Sequence, residues 1–382
     1  MPMAAGKKKT IAFMLPSLVA GGAERVFVNL LKEFDRSRFY LHMIVVDPSG
    51  PYIKIVPDDI AFHGLGYKKV SRAIPEIINT IRKINPDIII STLDHLNLAL
   101  LLVKPFLPNK TLLFLRECNL TSSNLSTGFK NFVFRILKKR LLNFADRIIC
   151  PANAIKNDLQ INFGIRSEKM VTIYNPVQVE EIRSNLQPHN PDKHNSDYKI
   201  VSAGTLEHRK GFDLLIHVMS KIVKKNNKIH LTLLGDGPEK ENLRKQINSL
   251  GLSEKVTLEG YQKNPYIYFS NADLFVLSSR YEGLPNAMLE SLACGTPVVA
   301  FNCPGGIDEI IVNESQGVLV PQNDVQALSL AIEKQIRSHK HTKDSLLPDK
   351  FDIKTVVPAY EELVLSEWSQ TQKGQAWPLF FL

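Results

Sequence analysis

Short apolar runs separated by amphipathic stretches recur along this chain, and that alternation constrains its fold more than any other feature. Runs at residues 10–15, 41–46, 87–91, 111–115 and 147–150 have the length and aliphatic character of buried strands. Residues 71–84, 95–104, 129–144 and 151–162, between or after them, read as helices. After a polar, proline-containing stretch at 181–198 the alternation resumes, with runs at 199–203, 229–234, 256–261, 273–277 and 297–301. Strands buried on both faces, with helices between them, imply α/β doubly wound parallel sheets whose ligands sit at the carboxyl ends of the strands. At 382 residues the chain should form two such Rossmann-like domains. The expected division is residues 1–180, a linker at 181–198, and residues 199–353.

Hydrophobic content of 44% and charged content of 22% are those of a globular protein. The formal charge of +9 favours an anionic partner. No zinc finger, RNP strand or homeodomain helix is present, so nucleic acid is discounted in favour of an anionic membrane surface or a lipid pyrophosphate. Cys118, Cys150, Cys294 and Cys303 show no CxxC or other metal spacing and fit reduced thiols in a cytoplasmic protein. Neither a metal nor another cofactor is expected, there being no Asp-x-Asp pair. The basic start followed by TIAFMLPSLVAGGA reads as a first strand and a glycine turn rather than a signal peptide. No apolar run approaches the roughly 18 residues needed to span a bilayer, so a soluble or monotopic protein is expected.

The chemistry concentrates in residues 278–297, SSRYEGLPNAMLESLACGTP, which follow an apolar run and open a helix. Pro285 suits a first helical turn, and Gly295 and Pro297 end the helix. Glu282 precedes the helix and Glu290 falls in its second turn. The N–H groups of Gly283, Leu284 and Asn286 belong to a helix start, where hydrogen bonding and the helix dipole favour an anion. A glycine turn, a helix start and two carboxylates suit a phosphorylated, polyhydroxylated ligand. Residues 204–211, GTLEHRKG, put Arg209 and Lys210 before another helix, at the end where cations are disfavoured unless an anion joins them. Gly235 and Gly237 follow the next strand in a GDGP turn, allowing a nucleotide to lie against the backbone. Gly21 and Gly22 follow the first strand and permit positive φ and close approach to a ligand. The dinucleotide fingerprint G-x-G-x-x-G is absent, which argues against a dehydrogenase.

The string EGLPNAMLE, from Glu282 to Glu290, resembles the E-x7-E signature of the family-4 retaining glycosyltransferases, which have the two-domain GT-B fold. GGAERV at 21–26, GTLEHRKG and GDGP are similar to that family's glycine loop, its G-R-L-x-x-x-K-G motif and its G-x-G-P turn. The resemblance covers residues 10–335, with the motifs in order. It implies domains facing across a cleft, with the last helix, near 354–368, crossing back to the first. It also implies a nucleotide-diphosphate sugar donor, UDP-hexose or UDP-N-acetylhexosamine, and a lipid-linked or polysaccharide acceptor in surface-glycan biosynthesis. Lys210 would hold the diphosphate. Thr205 stands where the family has arginine, and Arg209 is the substitute. Glu282 would contact the sugar and Glu290 the ribose hydroxyls, with Gly204, Gly235, Gly237, Gly283, Leu284 and Asn286 lining the donor. Gly21 and Gly22 would touch donor phosphates or acceptor. The leaving phosphate itself would help deprotonate the acceptor, with retention at the anomeric carbon and no metal. The family's acceptor-loop histidine is missing; Arg116 and Glu117 occupy that place, and His95 follows the preceding strand, so these three are the acceptor candidates.

Residues 129–144, FKNFVFRILKKRLLNF, interleave apolar side chains with Lys130, Arg135, Lys138, Lys139 and Arg140. They read either as an amphipathic helix packed on the sheet or as a basic helix resting on anionic lipid and guiding a lipid-linked acceptor. The second reading implies peripheral attachment to the inner face of the cell membrane. The tail at 378–382 is apolar and reads as disordered, packed or lipid-touching. Two other functions fit the same fold. One is a sugar-nucleotide epimerase; the other is a glycan- or lipid-binding protein without turnover, suggested by Thr205 and the missing histidine.

Overall fold

The structure is a computed structural model that describes residues 8–19, 21–124, 129–186, 198–338 and 344–372. Most of the expected linker, residues 187–197, and the apolar tail at 378–382 lie outside the described residues. The chain forms two compact units. The first comprises Met1–Cys118, Leu125–Pro176 and Ile353–Leu382; the second comprises Asn119–Asn124 and Val177–Asp352.

The first unit runs β1 (Lys9–Ser17), α1 (Gly22–Glu33), β2 (Phe39–Asp47), β3 (Ala61–Gly64), α2 (Val70–Ile84), β4 (Ile88–Thr92), α3 (Asp94–Val103) and β5 (Leu112–Arg116). A single turn, α4 (Thr121–Asn124), groups with the second unit. Then come α5 (Phe129–Leu141), β6 (Arg147–Cys150), α6 (Asn153–Phe163) and β7 (Met170–Thr172). The sheet is parallel in the order β3-β2-β1-β4-β5-β6-β7. Strand order reverses at β1, so the carboxyl ends of β1 and β4 flank the crevice where such sheets take ligands. Strands β3 and β7 were not legible as apolar runs, because β3 is largely exposed and β7 is three residues long. Phe13 meets Phe27 and Phe34 edge-on, with ring centroids 5.4 and 5.3 Å away. The C-terminal helix, Ile353–Gln372, completes this core through Ile353, Val356, Val357, Tyr360 and Val364. Glu361 on that helix accepts from the Asp35 N–H at 2.8 Å and pairs with Arg38 at 2.9 Å.

The second unit runs α7 (Val179–Ser184), β8 (Tyr198–Ala203), α8 (Phe212–Lys225), β9 (Ile229–Leu234), α9 (Lys240–Ser249), β10 (Val256–Gly260) and α10 (Tyr266–Ser270). It continues with β11 (Leu274–Leu277), α11 (Asn286–Ala293), β12 (Val298–Asn302), β13 (Gly317–Pro321) and α12 (Val325–Ser338). This sheet is also parallel, ordered β10-β9-β8-β11-β12-β13, and reverses at β8. Residues 181–184, expected in the linker, are helical in α7. Residues 304–309, which follow β12 with two glycines, form bends and turns. Gly305 has a φ of +141°, which no helix accommodates.

On the outer strands of the first sheet, His42 Nδ1 and His63 Nε2 lie 3.0 Å apart with nearly parallel rings. Such a contact needs at least one neutral ring to accept the hydrogen bond. Burial holds both pKa values below the ordinary histidine value, and the neighbouring His63 lowers His42 further. The unfolded chain therefore binds more protons than the folded one just below pH of about 6.5, so stability is full above that pH and falls as pH drops. Melting temperature should accordingly decline between pH of about 7.5 and about 5.5. The H42Q/H63Q variant should show a flatter profile by scanning fluorimetry; identical slopes would contradict this account.

Candidate active site

Four loops at the carboxyl ends of adjacent strands build the site in the second unit: residues 204–211 after β8, 235–238 after β9, 278–285 after β11 and 303–306 after β12. Lys210 Nζ lies 2.5 Å from Glu282 Oε1, and Arg209 Nη1 lies 3.2 Å from Glu282 Oε2. Ser279 Oγ donates to Glu282 Oε1 at 2.7 Å, and Arg209 Nε pairs with Glu207 at 3.1 Å. The Glu282 side chain is 5% exposed. Burial alone would raise its pKa, but the Lys210 and Arg209 charges outweigh that and hold it below the ordinary carboxylate value. The structure thus brings Glu282, Lys210 and Arg209 into one ion cluster. Thr205 is exposed, while the guanidinium of Arg209 reaches the cluster from a different backbone position.

Close backbone packing sets this geometry. Arg209 and Lys210 sit in a 3-10 turn, His208–Lys210, closed by Gly211 at a φ of +63°. A Cβ on Gly211 would come within 1.9 Å of the Ser278 carbonyl oxygen, so only glycine lets the two loops meet. The Ser278 hydroxyl donates to the Lys210 carbonyl at 3.1 Å. Gly204 passes beneath the lysine stem, where a Cβ would meet Lys210 Cε at 3.0 Å. Gly235 and Gly237 also meet neighbouring backbone. A Cβ on Gly235 would lie 1.9 Å from the Gly204 oxygen, and one on Gly237 would lie 2.6 Å from the Leu206 oxygen. Both glycines therefore let the 204–211 loop pack against this turn at backbone distance.

The motif loop is fastened from its other side. The Glu282 N–H donates to the Pro304 carbonyl at 3.0 Å and the Gly306 N–H to the Gly283 carbonyl at 2.8 Å. A Cβ on Gly305 would reach 2.4 Å from the Glu282 oxygen. Helix α11 starts one residue later than expected, with Pro285 as its cap. Gly283 and Leu284 are buried just before it, Asn286 is its first residue, and Glu290, 7% exposed, lies in its second turn.

The remaining candidates belong to the first unit. Gly21 caps α1 with an extended φ of −103°, so the expected positive φ is not used. Its missing side chain makes room for Glu24, whose Oε2 would lie 2.2 Å from a Cβ there. Gly22 begins α1 and is exposed. His95 is exposed in the first turn of α3. Arg116 and Glu117, expected to face an acceptor, are each only 1% exposed. Arg116 donates to Cys118 Sγ at 2.8 Å and to Asn175 Oδ1. Glu117 accepts from Asn97 at 2.8 Å and pairs with Lys138 of α5 at 2.5 Å. Lys138 also meets Asp94 at 2.9 Å. Burial raises the Glu117 carboxyl to about 7 despite that ammonium. Lys138, expected on the solvent or lipid face, is 1% exposed, while Phe132, Val133, Ile136 and Leu137 are 37–61% exposed. Carboxylates from two loops draw the lysine inward, and the apolar side chains turn outward as a result.

Two family models match consecutive parts of this chain: Glycosyltransferase Family 4 over residues 20–181 and Glycosyl transferases group 1 over residues 185–345. The chain belongs to the family-4 glycosyltransferases. A Campylobacter jejuni relative, N-acetylgalactosamine-N,N'-diacetylbacillosaminyl-diphospho-undecaprenol 4-alpha-N-acetylgalactosaminyltransferase, is 29% identical over 87% of this chain and 92% of its own length. The crystal structure of Anabaena Alr3699/HepE with UDP and glucose superposes with a TM-score of 0.72 at 19% identity, covering 96% of this chain and 98% of that one. The lipopolysaccharide outer core galactosyltransferase WaaB gives 0.70 at 17% identity, covering 94% and 99%. The structural matches establish the GT-B fold of this glycosyltransferase.

Ser279, Arg280 and Asp213 join the cluster or its surroundings and were passed over in the sequence. Ser279 and Arg280 lie inside the motif string, and Asp213 is an acidic residue in the first turn of α8, where the dipole favours it. Removing Lys210, whose side chain is 11% exposed, should leave Glu282 undercompensated. K210M should therefore cost about 3 kcal/mol of stability, the range for breaking a buried ion pair. Thermal melting of the purified variant checks this, and an unchanged melting temperature would contradict it.

Proposed function

We propose that this protein is a retaining glycosyltransferase that moves a sugar from a nucleotide-diphosphate sugar, a UDP-hexose or UDP-N-acetylhexosamine, to a lipid-linked or polysaccharide acceptor in surface-glycan biosynthesis. The observation that carries the reading is the Lys210–Glu282–Arg209 cluster at the carboxyl ends of β8 and β11. A departing diphosphate needs positive charge close to its bridging and terminal oxygens, and two fixed cations at a strand end supply it. Each well-placed stabiliser of developing charge is typically worth about 3 kcal/mol, or two orders of magnitude in rate. As the diphosphate takes these cations, Glu282 is freed to hold the sugar near its oxocarbenium-like transition state. The leaving phosphate then accepts the acceptor proton, which delivers the sugar with retention and asks no separate base of the protein. Lys210 and Arg209 do the neutralising that a bridging metal does elsewhere. Arg209 also answers the departure at Thr205, since the guanidinium is present by another route, which favours turnover over a binding-only role.

Glu290, buried in α11, is assigned by this reading to the ribose hydroxyls. The UDP reading draws on the Anabaena complex, and the lipid-linked acceptor on the Campylobacter enzyme. On the acceptor side, α5 turns Phe132, Val133, Ile136 and Leu137 outward, with Arg135, Lys139 and Arg140 also exposed. Apolar side chains ringed by cations suit the headgroup layer of an anionic membrane, which supports a reading of peripheral attachment to its cytoplasmic face. Among the described residues no helix is long and apolar enough to cross a membrane.

Ligand-induced thermal shift against UDP-, GDP- and ADP-sugars without added metal tests the reading. A UDP-sugar at a hundred times its Kd should add about 2.7 kcal/mol to stability. E290A should abolish the shift. No response to any nucleotide sugar would overturn the proposal.

A further inference from the structure

Arg280 lies two residues before Glu282, yet its bonds lead to other elements. Its guanidinium forks onto Asp213, Nη1 to Oδ1 at 2.8 Å and Nη2 to Oδ2 at 2.7 Å, and Nη1 also reaches the His208 carbonyl at 2.6 Å. Its backbone N–H donates to the Arg209 carbonyl at 2.7 Å, and its own carbonyl accepts from Gln322 Nε2 at 2.8 Å. One residue thereby ties the first turn of α8, the 3-10 turn bearing Arg209 and Lys210, the motif loop bearing Glu282 and the segment after β13.

That turn is three residues long, and few bonds of its own hold it: Lys210 N–H to Glu207 O at 3.0 Å and Gly211 N–H to His208 O at 3.1 Å. Long basic side chains are aimed only as well as the backbone beneath them, so the direction of Arg209 and Lys210 depends on restraints from outside the turn. We propose that Arg280 is a positioning residue of the donor site: its fork onto Asp213 and its bond to the His208 carbonyl set the spacing between the turn carrying both cations and the loop carrying Glu282. The inference rests on the donor-site reading given above. Lysine cannot reproduce a planar fork that serves two carboxylate oxygens and a carbonyl together. The side chains of Arg280 and Asp213 are 21% and 39% exposed, and exposed ion pairs add little to global stability. Positioning is therefore separable from folding here.

The test compares wild type, R280A and R280K by calorimetry with UDP and by saturation-transfer NMR with uridine, which lacks the diphosphate. R280A should lose about tenfold or more in UDP affinity, which is about 1.4 kcal/mol. Its uridine binding and melting temperature should stay close to wild type, R280K should be intermediate at best, and millimolar guanidinium should restore part of the UDP affinity of R280A. Wild-type UDP affinity in R280A would overturn the proposal, as would an equal loss of UDP and uridine binding, or a loss that guanidinium does not relieve. A wild type that binds no UDP would instead bring down the donor-site reading itself, and this inference with it.

Discussion

Burying a carboxylate as deeply as Glu282 costs several kcal/mol unless its charge is met, and the second unit is arranged so that two cations and a hydroxyl meet it. That requirement explains much of the surrounding sequence. Gly211 is glycine because the loop bearing the cations must touch the motif loop at backbone distance, and Gly305 because the 303–306 loop must approach the motif loop equally closely from its other side. Gly204 is glycine because the lysine stem lies across it. Ser278, Ser279 and Arg280, three consecutive residues, each contribute at least one tie between the two loops or to the carboxylate. In the proposed reading the same two cations are shared between Glu282 and the donor diphosphate.

A second buried ion pair shapes the first unit in a different way. Lys138 reaches from α5 to Glu117 and Asp94 at the carboxyl ends of β5 and β4. Burying a lysine on the inward side of a helix forces the neighbouring apolar residues outward. The outward set of Phe132, Val133, Ile136 and Leu137 is thus a consequence of where two carboxylates sit. Arg116, which the motif comparison pointed toward an acceptor, is instead part of the same interior, bonded to Cys118 and Asn175.

How much of this could be read from the chain follows from the physics of each signal. The long central strands were legible because burial on both faces leaves uninterrupted apolar runs, as in β1, β4 and β11. Strands β3, β7 and β13 were not, being short or half-exposed. Glu282, Lys210 and Arg209 were legible as candidates because cations before a helix are disfavoured without an anion, and because EGLPNAMLE and GTLEHRKG resemble motifs of the family. Their mutual contact was not, because nothing local records which loop tips adjoin. The packing role of Gly235 and Gly237 was hidden for the same reason, since their close neighbours, Gly204 and Leu206, lie on another loop. Lys138 was misplaced because periodicity assigns a lysine to the outside of a helix, and only the tertiary fold reveals the carboxylates that draw it in.

The central claim is that Glu282 and the donor diphosphate share the same two cations. Measuring UDP affinity and sugar transfer for E282Q tests it most directly. Neutralising the carboxylate frees Lys210 and Arg209 of their internal partner, so UDP should bind several-fold more tightly than to wild type while sugar transfer falls by about two orders of magnitude. Weaker or unchanged UDP binding in E282Q would mean that the cluster is a structural ion pair, and the account of the donor site would fail.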